Sequence, residues 1–132
     1  MTEMQVIEHK ETFEQDLLRI KGLKVIGHLN ILKFKDADTN QFVVFIPALE
    51  ISGYGETDEK AAEMAKFSVK EYFTYLNGLS PKKREEELIS SGWRSEKYRN
   101  KDYSKAFVDG EGKLQDFNVV DGKIERLTLE TA

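Results

Sequence analysis

The 132-residue sequence contains no cysteine, so disulfide bonds, thiolate zinc sites and cysteine nucleophiles are excluded. No apolar run is long enough to span a bilayer. The first residues lack the basic start and apolar core of a signal peptide. We therefore expect a soluble, cytoplasmic protein with no membrane association. The length predicts one domain, residues 1–132.

The chain also lacks a large excess of positive or negative charge. The chain has 20 Lys and Arg against 24 Asp and Glu, a formal net charge of −4. Residues 82–105 are mildly basic, with 8 basic and 5 acidic side chains. A nucleic-acid module usually has a stronger and more clustered basic surface. The pattern indicates an ordinary solvated surface.

The clearest structural signal is a β-β-β-α core over residues 30–77. Strands are predicted at Ile31–Lys35, Phe42–Ile46 and Glu50–Tyr54, from their β-branched and aromatic residues. A long helix is predicted from about Asp58 to Asn77, with Thr57 as its N-cap. Between the first two strands, the DADTN segment is typical of a turn, because Asp and Asn side chains bond their own backbone.

This stretch resembles the HicB antitoxin family. The second strand ends in Phe45-Ile46-Pro47-Ala48-Leu49, and the helix is entered through Gly55-Glu56-Thr57-Asp58-Glu59-Lys60-Ala61. The chain departs from the family pattern at Glu50-Ile51, where Pro-Gly is usual, and at Lys60, where an acidic residue is usual. The resemblance implies a trimmed RNase H-like fold. It also implies a domain that self-associates and that blocks a small basic ribonuclease toxin.

The regions outside the core give weaker patterns. Thr12 to Gln15 fits a capping box, which predicts an N-terminal helix ending at Gly22. In the stretch Leu23–Phe34, apolar residues occupy both odd and even positions, which a regular strand would point to opposite faces. A bulge or break is therefore expected near Gly27 or Asn30.

After the core, Ser80-Pro81 predicts a short helix over residues 80–91, and Gly78 is expected to end the long helix in a left-handed conformation. Asp121-Gly122 predicts a hairpin loop within a C-terminal β-meander over residues 103–130. The predicted fold class is therefore α+β. No DNA-binding segment follows the long helix.

The second predicted strand is apolar on both faces, and one helix covers only one of them. Val43 and Phe45 lie on the other face, which the N-terminal helix, the C-terminal strands or a second subunit must cover. We expect a homodimer or higher oligomer, with a monomer as the alternative. The candidate protein-interaction residues are Val43, Phe45, Glu50, Tyr54 and Glu56.

Little in the sequence suggests catalysis. His9 and His28 lack metal-ligand spacing, and the SGYG segment after Ile51 lacks the glycine that precedes a nucleophilic serine. We predict a protein-binding module without catalysis, cofactor or metal. One alternative is a metal-dependent nuclease that uses Asp36, Asp38 and Glu50. Another is an accessory domain that only dimerises.

Overall fold

The protein has a mixed α+β fold, as its sequence predicts. The computed structural model describes residues 2–10, 15–22, 24–94, 99–101 and 119–131. The strands are β1 Thr2–Lys10, β2 Asp16–Lys21, β3 Lys24–Asp36, β4 Phe42–Ile46, β5 Ile51–Gly55, β6 Arg99–Lys101 and β7 Val119–Thr131. The helices are α1 Asp58–Asn77 and α2 Pro81–Ser90, and Pro47–Leu49 forms a single 3-10 turn.

All described strands belong to one antiparallel sheet built around β3. Strand β7 pairs along nearly the whole of one side of β3. The other side is shared, because β2 pairs with the first half of β3 and β4 pairs with the second half. Strands β1, β6 and β5 lie outermost, next to β7, β2 and β4. The hairpin of β2 and β3 and the hairpin of β4 and β5 thus lie side by side along one central strand.

One face of the sheet, called here the helix face, packs against both helices. Among the described side chains, its strands contribute the core residues Leu18, Val25, Leu29, Ile31, Val44, Ile46 and Leu129. Helix α1 contributes Ala61, Ala65, Val69, Phe73 and Leu76, which share one side of the helix at helical spacing. Leu88 of α2 and Trp93 complete this core.

The opposite face, called here the second face, contains a smaller cluster. Leu32 and Phe34 of β3 pack with Val43 and Phe45 of β4 and are at most 8% exposed. The opposite orientations predicted for neighbouring residues of β4 are therefore confirmed. The chain buries this cluster without a second subunit, so an uncovered apolar face is no longer a reason to expect a homodimer. The oligomeric state itself stays a prediction.

The predicted N-terminal helix is wrong over residues 16–21, which form β2; residues 12–14 lie outside the described residues. Burial in β2 alternates with period two, and Leu18 is fully buried between half-buried neighbours. Gly22, with φ +62°, belongs to the tight turn into β3. A few apolar residues at helical spacing do not decide between helix and strand, and pairing with β3 and β6 favours the strand.

The break predicted near Gly27 or Asn30 is also wrong. The pairing of β3 is regular through this region, and its register shifts only between Lys35 and Asp36. Both parities of β3 are apolar because each parity is buried on its own face of the sheet. A regular strand with two covered faces explains the pattern without any bulge.

The hairpin loop predicted at Asp121-Gly122 is wrong too. These residues continue β7 and pair with Lys35 and Phe34. Asp36 pairs with Val119 while Lys35 pairs with Asp121, so Val120 is an extra residue in the ladder. The Asp-Gly pair thus lies beside a bulge, a second setting that favours glycine. The rest of the predicted meander, up to residue 118, lies outside the described residues.

The helix starts follow the sequence closely. The Thr57 hydroxyl accepts a hydrogen bond from the backbone N–H of Lys60 at 3.1 Å. The Ser80 hydroxyl accepts one from Lys83 at 3.3 Å. Gly78 caps the end of α1 with φ −79°, so the left-handed stop predicted there is wrong. The chain turns instead through Gly78 and enters α2 at Ser80.

Candidate protein-interaction surface

Two glycines in β5 set the position of α1 on the sheet. A Cβ atom added to Gly53 would lie 2.3 Å from the carbonyl oxygen of Ala61 and 2.4 Å from the backbone nitrogen of Ala65. A Cβ atom on Gly55 would lie 2.7 Å from the Cβ of Lys60. The helix backbone therefore rests directly on the strand backbone, which requires glycine in the strand and small residues in the helix. The sequence shows both small-residue pairs, but their contact appears only in the structure.

Three of the five predicted interaction residues are exposed around β5. Tyr54 is 51% exposed and lies opposite Val43, on the second face. Glu50 precedes the strand in a left-handed conformation, with φ +53°. Glu56 follows the strand, and its carboxylate lies 3.9 Å from the ammonium of Lys60. An exposed aromatic ring is thus flanked by a carboxylate at each end of β5.

Strand β5 also offers backbone groups to a partner. In the part of the chain that the structure describes, β5 pairs with β4 alone. A free strand edge presents N–H and C=O groups that an added strand can bind. The other two predicted interaction residues, Val43 and Phe45, are buried within the chain, so a partner does not reach them in this conformation.

Helix α1 carries exposed apolar side chains. From the sequence, these residues are interpreted as part of the side of the helix that packs in the core. Met64, Phe67 and Tyr75 are exposed, and Phe67 is the most open of them at 63%. The interpretation as core packing is wrong for these three residues. Their spacing of three and eight residues places them on the solvent side of α1, away from Ala65, Val69 and the rest of the buried side.

Tyr72 lies where α1 meets α2. Burial raises the pKa of this phenol above its ordinary value, while a hydrogen bond with Ser91 acts in the opposite direction. The carboxylates of Glu87 and Glu50 raise the pKa further. Tyr72 therefore stays neutral over the physiological range and serves as a polar contact between the two helices.

The three carboxylates that the alternative nuclease hypothesis requires, those of Asp36, Asp38 and Glu50, do not lie together. Asp36 accepts hydrogen bonds from the backbone N–H of Asp38 at 3.3 Å and from the Thr39 hydroxyl at 2.8 Å, as expected of a turn-forming aspartate. Glu50 lies beyond the other end of β4, a strand whose length is roughly 16 Å. Among the described residues, no group of three His, Cys, Asp or Glu side chains could hold a metal ion.

A buried polar cluster of Asp16, Asn30 and Arg126 is not predicted from the sequence. One carboxylate oxygen of Asp16 accepts hydrogen bonds from the backbone and side-chain nitrogens of Asn30, at 2.8 and 3.1 Å. Arg126 lies opposite Asn30 in β7 and donates to the carbonyl oxygen of Gln15 at 2.6 Å. The three residues come from three strands, so only the sheet register brings them together.

Comparison with known proteins gives no relative for this arrangement: no family model, curated protein or solved structure matches the chain. In the described part of the chain, neither helix has the length and apolar character needed to cross a membrane.

Proposed function

We propose that this chain is a HicB-like, antitoxin-related module that binds another protein through β5 and has no catalysis of its own. The observation that carries the proposal is the edge of β5 that no other described strand pairs with, together with exposed Tyr54 between Glu50 and Glu56. Exposed aromatic residues are frequent anchors of protein interfaces. Edge strands bind extended segments of partners through main-chain hydrogen bonds.

The partner proposed is a small basic ribonuclease toxin. Support comes from the charges around the strand, since four acidic residues lie just before or after β5: Glu50, Glu56, Asp58 and Glu59. Among the described residues, the one cation within ion-pair distance of Glu56 is Lys60. Complementary charge mainly increases the association rate and the specificity of a complex. The order of strand, turn, strand, Pro-x-Leu step, strand and capped helix supports the HicB-like assignment and its β-β-β-α core.

The test is to look for a small basic reading frame beside the gene and to co-express its product with this chain. We expect the chain to suppress the toxicity of that protein and to form a complex with it on gel filtration. Tyr54→Ala and Glu56→Lys should weaken the complex at least about tenfold, the usual effect of removing an interface anchor. Ile89→Ala, at an exposed site on α2, is the matched control and should bind normally. The absence of any toxin-like neighbour, or equal binding by all variants, would refute the proposal.

A further inference from the structure

The hairpin of β2 and β3 concentrates positive charge on the second face of the sheet. Arg19 pairs with Ile26, and Lys21 pairs with Lys24 across the hairpin. Because side chains alternate between the two faces, all four project on the side opposite to buried Leu18 and Val25. Three of the four carry a positive charge, on a protein whose net charge is −4.

These four residues line a cavity of about 450 Å³. That volume lies within the range of about 300–1,000 Å³ found for small-molecule sites. It is far larger than one inorganic phosphate requires. Ile26 supplies an apolar wall, and the cationic side chains surround it.

The position of Lys21 directly opposite Lys24 is electrostatically unfavourable without an anion. Like charges directly opposite each other on paired strands destabilise a hairpin. Glu130 of β7 offsets part of this cost, because its carboxylate lies 2.6 Å from the ammonium of Lys24. That ion pair is about half exposed, so a competing anion can reach Lys24. Among the described residues, Lys21 has no ion-pair partner.

We propose that this cavity binds the phosphate groups of a phosphate ester. Lysine ammonium groups bind phosphate as point charges, and an arginine guanidinium can form two parallel hydrogen bonds to phosphate oxygens. Lys21 would hold the anion, and Lys24 would exchange Glu130 for it, while Arg19 lines the same cavity. The site is distinct from the β5 surface, so its outcome does not depend on the proposed function.

Isothermal titration calorimetry at low ionic strength tests the proposal with three probes: sodium pyrophosphate, ATP, and a short single-stranded oligoribonucleotide. We expect at least one probe to bind, with an affinity that falls as salt is added. Tight binding of ATP would identify a free nucleotide as the source of the phosphate. Binding only of the oligoribonucleotide, increasing with its length, would identify a nucleic-acid backbone.

Two substitutions should change affinity in opposite directions. Lys21→Gln removes a cation and should weaken binding about tenfold, as expected for losing a charged hydrogen bond. Glu130→Gln removes the competing carboxylate and should strengthen binding severalfold. Lys70→Gln, on exposed α1, is the matched control for net charge and should bind like the wild type. Failure of all three probes to bind, or equal loss in Lys21→Gln and Lys70→Gln, would overturn the proposal.

Discussion

The two faces of the sheet are buried by different means. The helix face is mostly apolar, and its core combines residues of the sheet, α1, α2 and Trp93. One ion pair is also largely buried there, since Glu125 of β7 lies opposite Ile31 and 3.3 Å from Lys33. The second face has four clustered apolar side chains and, beside them, buried Asn30 and Arg126, which pair across β3 and β7. The helix face thus depends mainly on close apolar packing, whereas the second face depends more on polar groups whose hydrogen bonds must be kept.

This difference bears on function as well as stability. The second face carries Tyr54 at one outer strand and the cationic cavity at the β2–β3 hairpin. The helix face is occupied by the protein's own helices. Both proposed binding sites are therefore on the side of the sheet that the two helices leave free. Substitutions placed on one face or the other test whether the two faces are stabilised by different means.

The largest effect is expected for Val43→Asp on the second face. Val43 is 8% exposed, so a carboxylate there must be desolvated or protonated. We expect a loss of about 3–5 kcal/mol or more, with no cooperative unfolding transition by circular dichroism. Phe67→Asp, at an exposed site on α1, should stay folded. If light scattering instead showed a wild-type dimer and a folded Val43→Asp monomer, the second face would be a subunit interface.

Gly53→Ala tests the close packing of the helix face. The new methyl group would overlap the backbone of Ala61 and Ala65, which cannot move without displacing α1. We expect a destabilisation of about 3 kcal/mol, at the upper end of the overpacking range. Gly78→Ala is the control, since its φ is −79° and the new Cβ would lie 3.4 Å from the carbonyl oxygen of Tyr75, an acceptable contact. Equal urea midpoints for the two variants would contradict the close contact.

Asn30→Ala tests the polar part of the second face. It removes the side-chain donor to Asp16 but leaves the backbone donor in place. A hydrogen bond to a charged group contributes about 1.5–3 kcal/mol, so we expect a loss in that range. Thr128→Ala, at a polar site on the same face of β7, is a control that should lose less. Urea denaturation of both variants makes the comparison, and an unchanged midpoint for Asn30→Ala would show that the bond is not stabilising.

The sequence predicts the helix layer better than the strands around it. Strand Phe42–Ile46, the caps of both helices and the turn closed by Asp36 all follow from local chemistry, and all are found. Strand β2 and the straight course of β7 depend on pairing with β3, which no local pattern encodes. The same limit applies to the candidate sites. Exposed Tyr54 can be proposed from its strand, but the cavity beside Lys21 needs the register of the hairpin.

Thr57→Ala tests the attachment of α1 to β5 at its first turn. The substitution removes the hydroxyl that accepts from Lys60 N–H. The usual cost of losing an N-cap side chain is about 0.5–2 kcal/mol. Thr57→Ser keeps the hydroxyl and should recover most of the loss in denaturant melts. If both variants were equally destabilised, the methyl group rather than the cap would be responsible.

The smallest effect is expected for Tyr72→Phe, at the contact between α1 and α2, and it should depend on pH. At neutral pH the variant loses the hydrogen bond with Ser91, a cost of about 0.5–1.5 kcal/mol. Because burial raises the folded-state pKa, the neutral phenol stabilises the fold fully below the unfolded-state pKa, which is about 10. As pH rises above that value the unfolded chain loses the proton more readily, and this contribution is lost as pH passes through the folded-state pKa.

Urea unfolding from pH 7 to 11 should therefore show the advantage of wild type over Tyr72→Phe shrinking only at the alkaline end. Tyr75→Phe, at an exposed site, should follow the wild type throughout. A difference that stayed constant across the range would mean that Tyr72 ionises alike in both states, and that the α1–α2 contact does not bury its hydroxyl.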